Sequence, residues 1–123
     1  MNYSIGIDVS KGKSTVAIMD ASEKLQEKVF EINHNQCGVE QLKEHLNKYG
    51  DGEIRIVMEA TSHYHFPLLF SLQESGYFVC VANALTIKKF CDEDLRRVKN
   101  DRKDAIKLAM YCCEKWNRLS EFQ

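Results

Sequence analysis

Three β-type segments follow one another before the first helical pattern appears, and that order restricts the chain to few topologies. From Tyr3 to Val9, Ile5, Ile7 and Val9 share one face while Gly6 and Asp8 share the other, the period of a strand with two unlike sides. Ser14 to Met19 is a second β-rich run, joined to the first through Ser10-Lys11-Gly12-Lys13, a turn of hairpin length. Leu25 to Ile32 reads as a third strand after the polar turn Asp20 to Lys24. The period then changes. Asn35 to Tyr49 sets Val39, Leu42, His45 and Leu46 at helical spacing, and Gly50-Asp51-Gly52 stops the helix. Ile54 to Met58 reads as a short buried strand, and a helix begins near Pro67, a residue well suited to a first turn. Phe78 to Ala82 reads as the next strand and Ala84 to Cys91 as the next helix. From Asp101 onward, Ala105, Leu108, Ala109, Cys112 and Trp116 align as the apolar stripe of an amphipathic helix. An antiparallel meander of three strands, followed by strand–helix units that add parallel strands, describes a mixed α/β sheet.

At 123 residues the chain has the size of one domain able to bury its own core. No apolar run is long enough to cross a bilayer and no signal-peptide core is present, so a cytoplasmic protein without a membrane partner is expected. The five cysteines (Cys37, Cys80, Cys91, Cys112 and Cys113) show no C-x-x-C spacing, which suits reduced thiols better than a disulfide framework or a zinc site. A formal net charge of −1 excludes a generally basic nucleic-acid coat. The charge is uneven, however. Lys88, Lys89, Arg96, Arg97, Lys99, Arg102, Lys103 and Lys107 alternate with Asp92, Glu93, Asp94, Asp101 and Asp104, either as a solvated helical face or as a phosphate-contacting rim.

Four acids stand out against this pattern. Asp8 ends an apolar strand, Glu59 follows Ile56-Val57-Met58, and Asp101 and Asp104 open the last helix. An acid placed just after an apolar run is costly unless a cation or hydrogen bonds compensate it. Gly6, on the face of Asp8, leaves room there for a metal or phosphate to approach. Glu59 falls at the carboxyl end of its strand, the edge at which open α/β sheets place ligands. Each acid also has a plainer reading. Asp8 would bond the next turn, Glu59 would cap Thr61-Ser62, and Asp101 with Asp104 would form a capping box. The spacing of three equally puts Asp101 and Asp104 on one helical face, able to ligate one ion together. Crowded carboxylates repel and hold protons unless cations intervene, and hard oxygen ligands suit Mg²⁺ or Mn²⁺. Other signals are weaker. Gly6 to Ser14 is one residue too long for a P-loop, His63 and His65 are loop residues before they are ligands, and Cys112 and Cys113 suit core packing.

Gly6-Ile7-Asp8-Val9-Ser10-Lys11, Met58-Glu59-Ala60-Thr61 followed by Tyr64 and Pro67, and Lys99-Asn100-Asp101-Arg102-Lys103-Asp104-Ala105 resemble a known family. It is the N-terminal domain of the IS-one-ten family of insertion-sequence transposases, which includes the Piv-type DNA invertases. The resemblance covers nearly the whole chain. It implies a RuvC-like, ribonuclease H-type fold with a DEDD tetrad that falls, by motif match, on Asp8, Glu59, Asp101 and Asp104. It further implies metal-dependent cleavage and strand transfer of DNA in transposition or site-specific recombination, with Mg²⁺ or Mn²⁺ as cofactor. Lys11, Lys99, Arg102 and Lys103 would contact phosphates. Implied partners are DNA, an element-encoded guide RNA, further copies in the full-length protein and a C-terminal domain bearing a serine nucleophile. Nothing in residues 1–123 matches that C-terminal domain, and Asn117 to Gln123 lacks a glycine or proline stop, so a catalytic fragment of low activity is expected. Ser62-His63 departs from the glycine the family often carries after Glu-Ala-Thr.

Two other classes compete with this reading. Nucleotide-binding half-domains of the actin, Hsp70 and sugar-kinase type share the strand order and a Gly-Ile-Asp start. They usually carry a glycine-threonine phosphate turn where this chain has Val9-Ser10-Lys11, and they lack the Asp-x-x-Asp helix start. A non-catalytic nucleic-acid-binding module would bind DNA regardless of metal.

Overall fold

The computed structural model describes residues 1–60, 64–94 and 104–122. Among the described residues, five strands form one sheet in the order β3-β2-β1-β4-β5. β1 (Asn2–Val9) and β2 (Lys13–Asp20) pair antiparallel from Tyr3↔Asp20 to Val9↔Ser14. The hairpin closes through the bond that Ser10 N–H donates to the Lys13 carbonyl, with Gly12 at φ +81°, a left-handed position that favours glycine. β4 (Glu53–Glu59) lies parallel to β1 on its other side, and β5 (Phe78–Ala82) lies parallel to β4. Mixed pairing of this kind is what the meander and the later strand–helix units require.

The alternation within β1 decides which helix covers which face. Tyr3, Ile5, Ile7 and Val9 join Ile56, Met58 and Val79 in a core closed by α1 (Gln36–Asn47) and α2 (Phe66–Glu74) through Leu42, Leu46, Leu68, Leu69 and Leu72. The Asn35 side chain caps α1 by accepting from Gly38 N–H at 2.7 Å, and Pro67 sits in the first turn of α2. On the opposite face, α4 (Asp104–Glu114) lays Ala105, Leu108, Ala109 and Cys112 over Ala17, Met19, Val57 and Cys80, with α3 (Ala84–Asp94) beside it. A fully buried large aliphatic side chain contributes about 1.5–3 kcal/mol, so these cores, above all the Ile-, Leu- and Val-rich one under α1 and α2, are the main source of stability.

The third strand is shorter than the run Leu25 to Ile32. Only Phe30–Asn33 pairs with β2, after an isolated bridge between Met19 and Leu25. Between these points Glu27 turns inward, so the backbone leaves the ladder. Its carboxylate accepts from Tyr49 OH at 2.6 Å, from Lys48 Nζ at 3.4 Å and pairs with His45, which fastens the loop to α1. Trp116 also departs from the expected stripe. α4 stops at Glu114, and Trp116 begins a 3-10 turn, where it stacks 4.7 Å from the Arg55 guanidinium. Arg55 lies 4.5 Å from the Phe78 ring as well and donates to the Trp116 carbonyl at 2.6 Å, which ties the turn to the sheet. Among the described residues no helix is long and apolar enough to cross a membrane.

Candidate active site at the carboxyl ends of β1 and β4

The site is assembled by strand register. β1 and β4 run parallel, and the last paired residues are Ile7 and Met58. One step further along each strand stand Asp8 and Glu59, side by side on strands spaced about 4.8 Å apart. Both belong to the face opposite the α1–α2 core, because Ile7 and Met58 fill that core and successive side chains alternate. They therefore lie on the face covered by α4, at the carboxyl edge where parallel strands leave ligand space.

Gly6 brings the helix down to them. A Cβ at Gly6 would overlap the Ala105 carbonyl oxygen and the Ala109 amide nitrogen and come within 2.9 Å of Leu108 Cβ. The space that the missing side chain leaves is thus filled by the backbone of α4, not held open for a metal or phosphate. This corrects the expectation drawn from the sequence, and it also explains how Asp104, the first described residue of α4, comes to face the two strand-end acids.

Asp8, Glu59 and Asp104 lie within electrostatic reach of one another. Burial pushes the Asp8 carboxyl above its usual range, and the Asp104 charge adds to the rise. Burial likewise raises Glu59, with Asp104 and then Asp8 pushing in the same direction. Three carboxylates within electrostatic reach of one another have a donor chemistry that fits a hard divalent cation, which would relieve both burial and repulsion. Their side chains are not drawn together as a shell: among the described residues no three His, Cys, Asp or Glu side chains form a group that could hold an ion. Asp104 is 68% exposed and pairs with Lys107 Nζ at 3.8 Å. Asp101, Lys99, Arg102 and Lys103 lie outside the described residues, as does His63. Lys11 is exposed in the hairpin at the same end of the sheet as Asp8. His65 is buried and packs 4.2 Å from the Phe66 ring at the start of α2.

Beside the acids, α3 and α4 bound a cleft of about 350 Å³ lined by Glu59, Lys88, Cys91, Asp92, Asp104 and Lys107 among others. Burial pushes the Cys91 thiol up, the Lys107 ammonium pulls it back, and Asp92, Asp104 and Glu59 push it up again, so these groups share one local field. Sequence reasoning left this pairing of α3 with α4 unread. Its trace is the i,i+3 spacing of Asp104 with Lys107 within an otherwise mixed charge run.

Comparison with known proteins gives the family and the fold. A family model for DEDD transposases of the IS110 (IS-one-ten) type, described as a transposase, matches residues 5–123. No curated protein gives a significant match. RuvC of T. thermophilus, solved in complex with a Holliday junction substrate, is similar over 95% of this chain and 96% of its own, at 10% identity and a TM-score of 0.62. A ROK hexokinase from Thermus thermophilus overlaps 76% of this chain and 37% of its own (17% identity, TM-score 0.47). A ROK-family transcriptional regulator, a homologue of the E. coli MLC protein, overlaps 75% and 30% (15% identity, TM-score 0.49). The fold is RuvC-like, of the ribonuclease H type, and the chain belongs to the DEDD transposase family of the IS110 type.

Proposed function

We propose that residues 1–123 form the metal-dependent catalytic domain of a DNA transposase, with Asp8, Glu59 and Asp104 holding a divalent cation and Asp101, on its motif alone, as the fourth ligand. The observation that carries the proposal is the register of β1 and β4, which sets Asp8 beside Glu59 beneath the first turn of α4. Family membership supports transposition as the process, and the Holliday junction bound by the similar RuvC supports DNA as the partner.

A bound Mg²⁺ or Mn²⁺ would supply a Lewis acid and a water of lowered pKa next to phosphorus. The protein's own residues do the rest. Asp8 and Glu59 present their carboxyl groups from a rigid strand edge, where the parallel pairing of β1 with β4, backed by β2 on one side and β5 on the other, fixes their separation. Gly6 fixes the height of α4 over them. Lys11 offers a charge to the backbone phosphates at the same edge, and Lys99, Arg102 and Lys103 would do so from the segment before α4. Strand transfer would require the serine-bearing C-terminal domain, with target choice guided by an element-encoded RNA.

Calorimetric titration with Mn²⁺ tests the proposal. Wild-type protein should take up the ion, and Glu59→Gln should remove that binding while keeping the native circular-dichroism spectrum. Equal Mn²⁺ uptake by folded Glu59→Gln would overturn it. The purified chain alone should nick plasmid DNA only slowly; rapid metal-dependent cleavage would refute the need for a second domain.

A further inference from the structure

Lys107 occupies an unusual position for a helix-surface lysine. Its side chain is only 21% exposed, against 68% for its partner Asp104, so the stem lies along the α3–α4 cleft while the ammonium sits 3.8 Å from the carboxylate. The same ammonium acts on the Cys91 thiol across the cleft, and Glu59 acts on that thiol as well. One monovalent cation is therefore stationed at the edge of a group of three acids. Lys88, exposed on α3, lines the same 350 Å³ space. That volume lies within the roughly 300–1,000 Å³ range typical of small-ligand sites, and its lining sets Lys88 and Lys107 beside Glu59, Asp92 and Asp104.

We propose that Lys107 is an exchangeable counter-ion that couples cation binding at the acids to capture of a DNA phosphodiester in the α3–α4 cleft, where Lys88 is its partner. The proposal rests on the acids binding a divalent ion. Without that ion, the Lys107 ammonium offsets part of the charge of Asp104. With a divalent cation held by the acids, Asp104 would no longer need the Lys107 ammonium, and like charge would drive that ammonium away. Lys107 then turns its charge into the cleft, and two ammonium groups face one backbone phosphate. The buried stem limits the movement to the last bonds of the side chain, so the exchange needs no backbone rearrangement.

The exchange fixes opposite signs for two affinities. Removing the Lys107 charge removes a repulsion against the incoming divalent ion, so Lys107→Met should bind Mn²⁺ roughly threefold to tenfold more tightly without DNA. The same variant should bind DNA more weakly, with the slope of log K against log salt shallower by about one, the effect of one lost phosphate contact. Lys88→Gln should show the same DNA defect and leave Mn²⁺ affinity unchanged. Methionine keeps the apolar stem of Lys107, and Lys88 is exposed, so both variants should fold.

Mn²⁺ affinity by calorimetry and DNA affinity by anisotropy on a labelled random-sequence duplex, in Ca²⁺ and in EDTA, measure these quantities. Alkylation of Cys91, read by peptide mass spectrometry against exposed Cys37, gives a local readout. DNA should slow Cys91 labelling several-fold in Ca²⁺ and leave Cys37 untouched. Weaker or unchanged Mn²⁺ binding by Lys107→Met overturns the counter-ion role. DNA binding that ignores both lysines, or that leaves Cys91 labelling unchanged, overturns the cleft. Should the wild-type protein bind no Mn²⁺, the metal-site reading falls and the counter-ion role falls with it. The cleft role of Lys107 falls with them, because its charge turns into the cleft only when the ion is bound.

Discussion

Replacing Asp8 with asparagine should make the ion-free protein more stable. Asp8 and Glu59 stand on neighbouring strands, and Asp104 adds a third negative charge. Two unit charges about 5–6 Å apart repel by about 3 kcal/mol at an effective dielectric constant of 20 and by about 0.7 kcal/mol in a water-like medium. Both carboxylates are partly exposed, so solvent screening favours the lower end, about 1 kcal/mol. The sign follows from the direction of the shift. An acid whose folded pKa is raised binds its proton more tightly folded than unfolded, so its ionised form destabilises the fold above the folded pKa. That penalty fades as pH falls through the raised carboxylate range toward the unfolded value. For a chain of this size about 1 kcal/mol corresponds to roughly 3–6 °C in Tm. Thermal melts of wild type and Asp8→Asn in EDTA at neutral pH should therefore differ by that amount, with the variant higher, and converge in acid. Added Mn²⁺ should reverse the order, because ligand at a hundred times Kd stabilises by about 2.7 kcal/mol and only the wild type binds it. A variant that melts below wild type in EDTA would refute the reasoning and restore Asp8 to a structural acid bonded to its turn.

Two further substitutions probe what positions the site. Gly6→Ala should cost at least about 2 kcal/mol, since the new methyl meets the α4 backbone rather than a side chain able to move aside, and Mn²⁺ affinity should fall with it; unchanged stability by urea denaturation would contradict this docking. Glu27→Gln should cost about 1–2 kcal/mol by the same assay, because it weakens bonds from Tyr49, His45 and Lys48. Burial pushes Glu27 up, yet those partners outweigh it and hold its pKa below the usual value. The wild-type advantage should accordingly be present above the unfolded pKa and be lost as pH falls through the lowered folded one. An advantage that persists into strong acid would mean that the Glu27 charge plays no part.

Much of the fold is legible in the chain because its signals are local. The two-sided period of Tyr3 to Val9, the four-residue turn to Lys13 and the β-branched run before Glu59 each follow from neighbours along the sequence, and each forms the element it indicates. The misreadings come from contacts that are distant in sequence. Gly6 looks like room for a ligand because a missing side chain does not reveal what fills the space; the filler, α4, arrives far along the chain. Leu25 to Ile32 has strand composition throughout, but Glu27 finds three partners, His45 on α1 with Lys48 and Tyr49 just past its end, and its segment leaves the ladder. Trp116 continues the apolar stripe on paper, yet stacking on Arg55 draws it into a turn beyond the helix. Asp8 and Glu59 were recognisable as costly acids from the apolar runs before them, whereas their adjacency depends on parallel pairing of strands far apart in the chain. The cleft beside these acids is unread for the same reason, since it exists only once α3 lies beside α4.

The most direct test of the central claim is an NMR titration of the isotopically labelled protein with substoichiometric Mn²⁺, following which amides broaden. A single metal site predicts simultaneous loss of signal around Asp8, around Glu59 and at the start of α4 near Asp104, while amides of α1 on the opposite face of the sheet stay sharp. Broadening confined to one of these segments, or spread evenly over exposed acids such as Glu31 and Glu53, would show that the three acids do not act as one site.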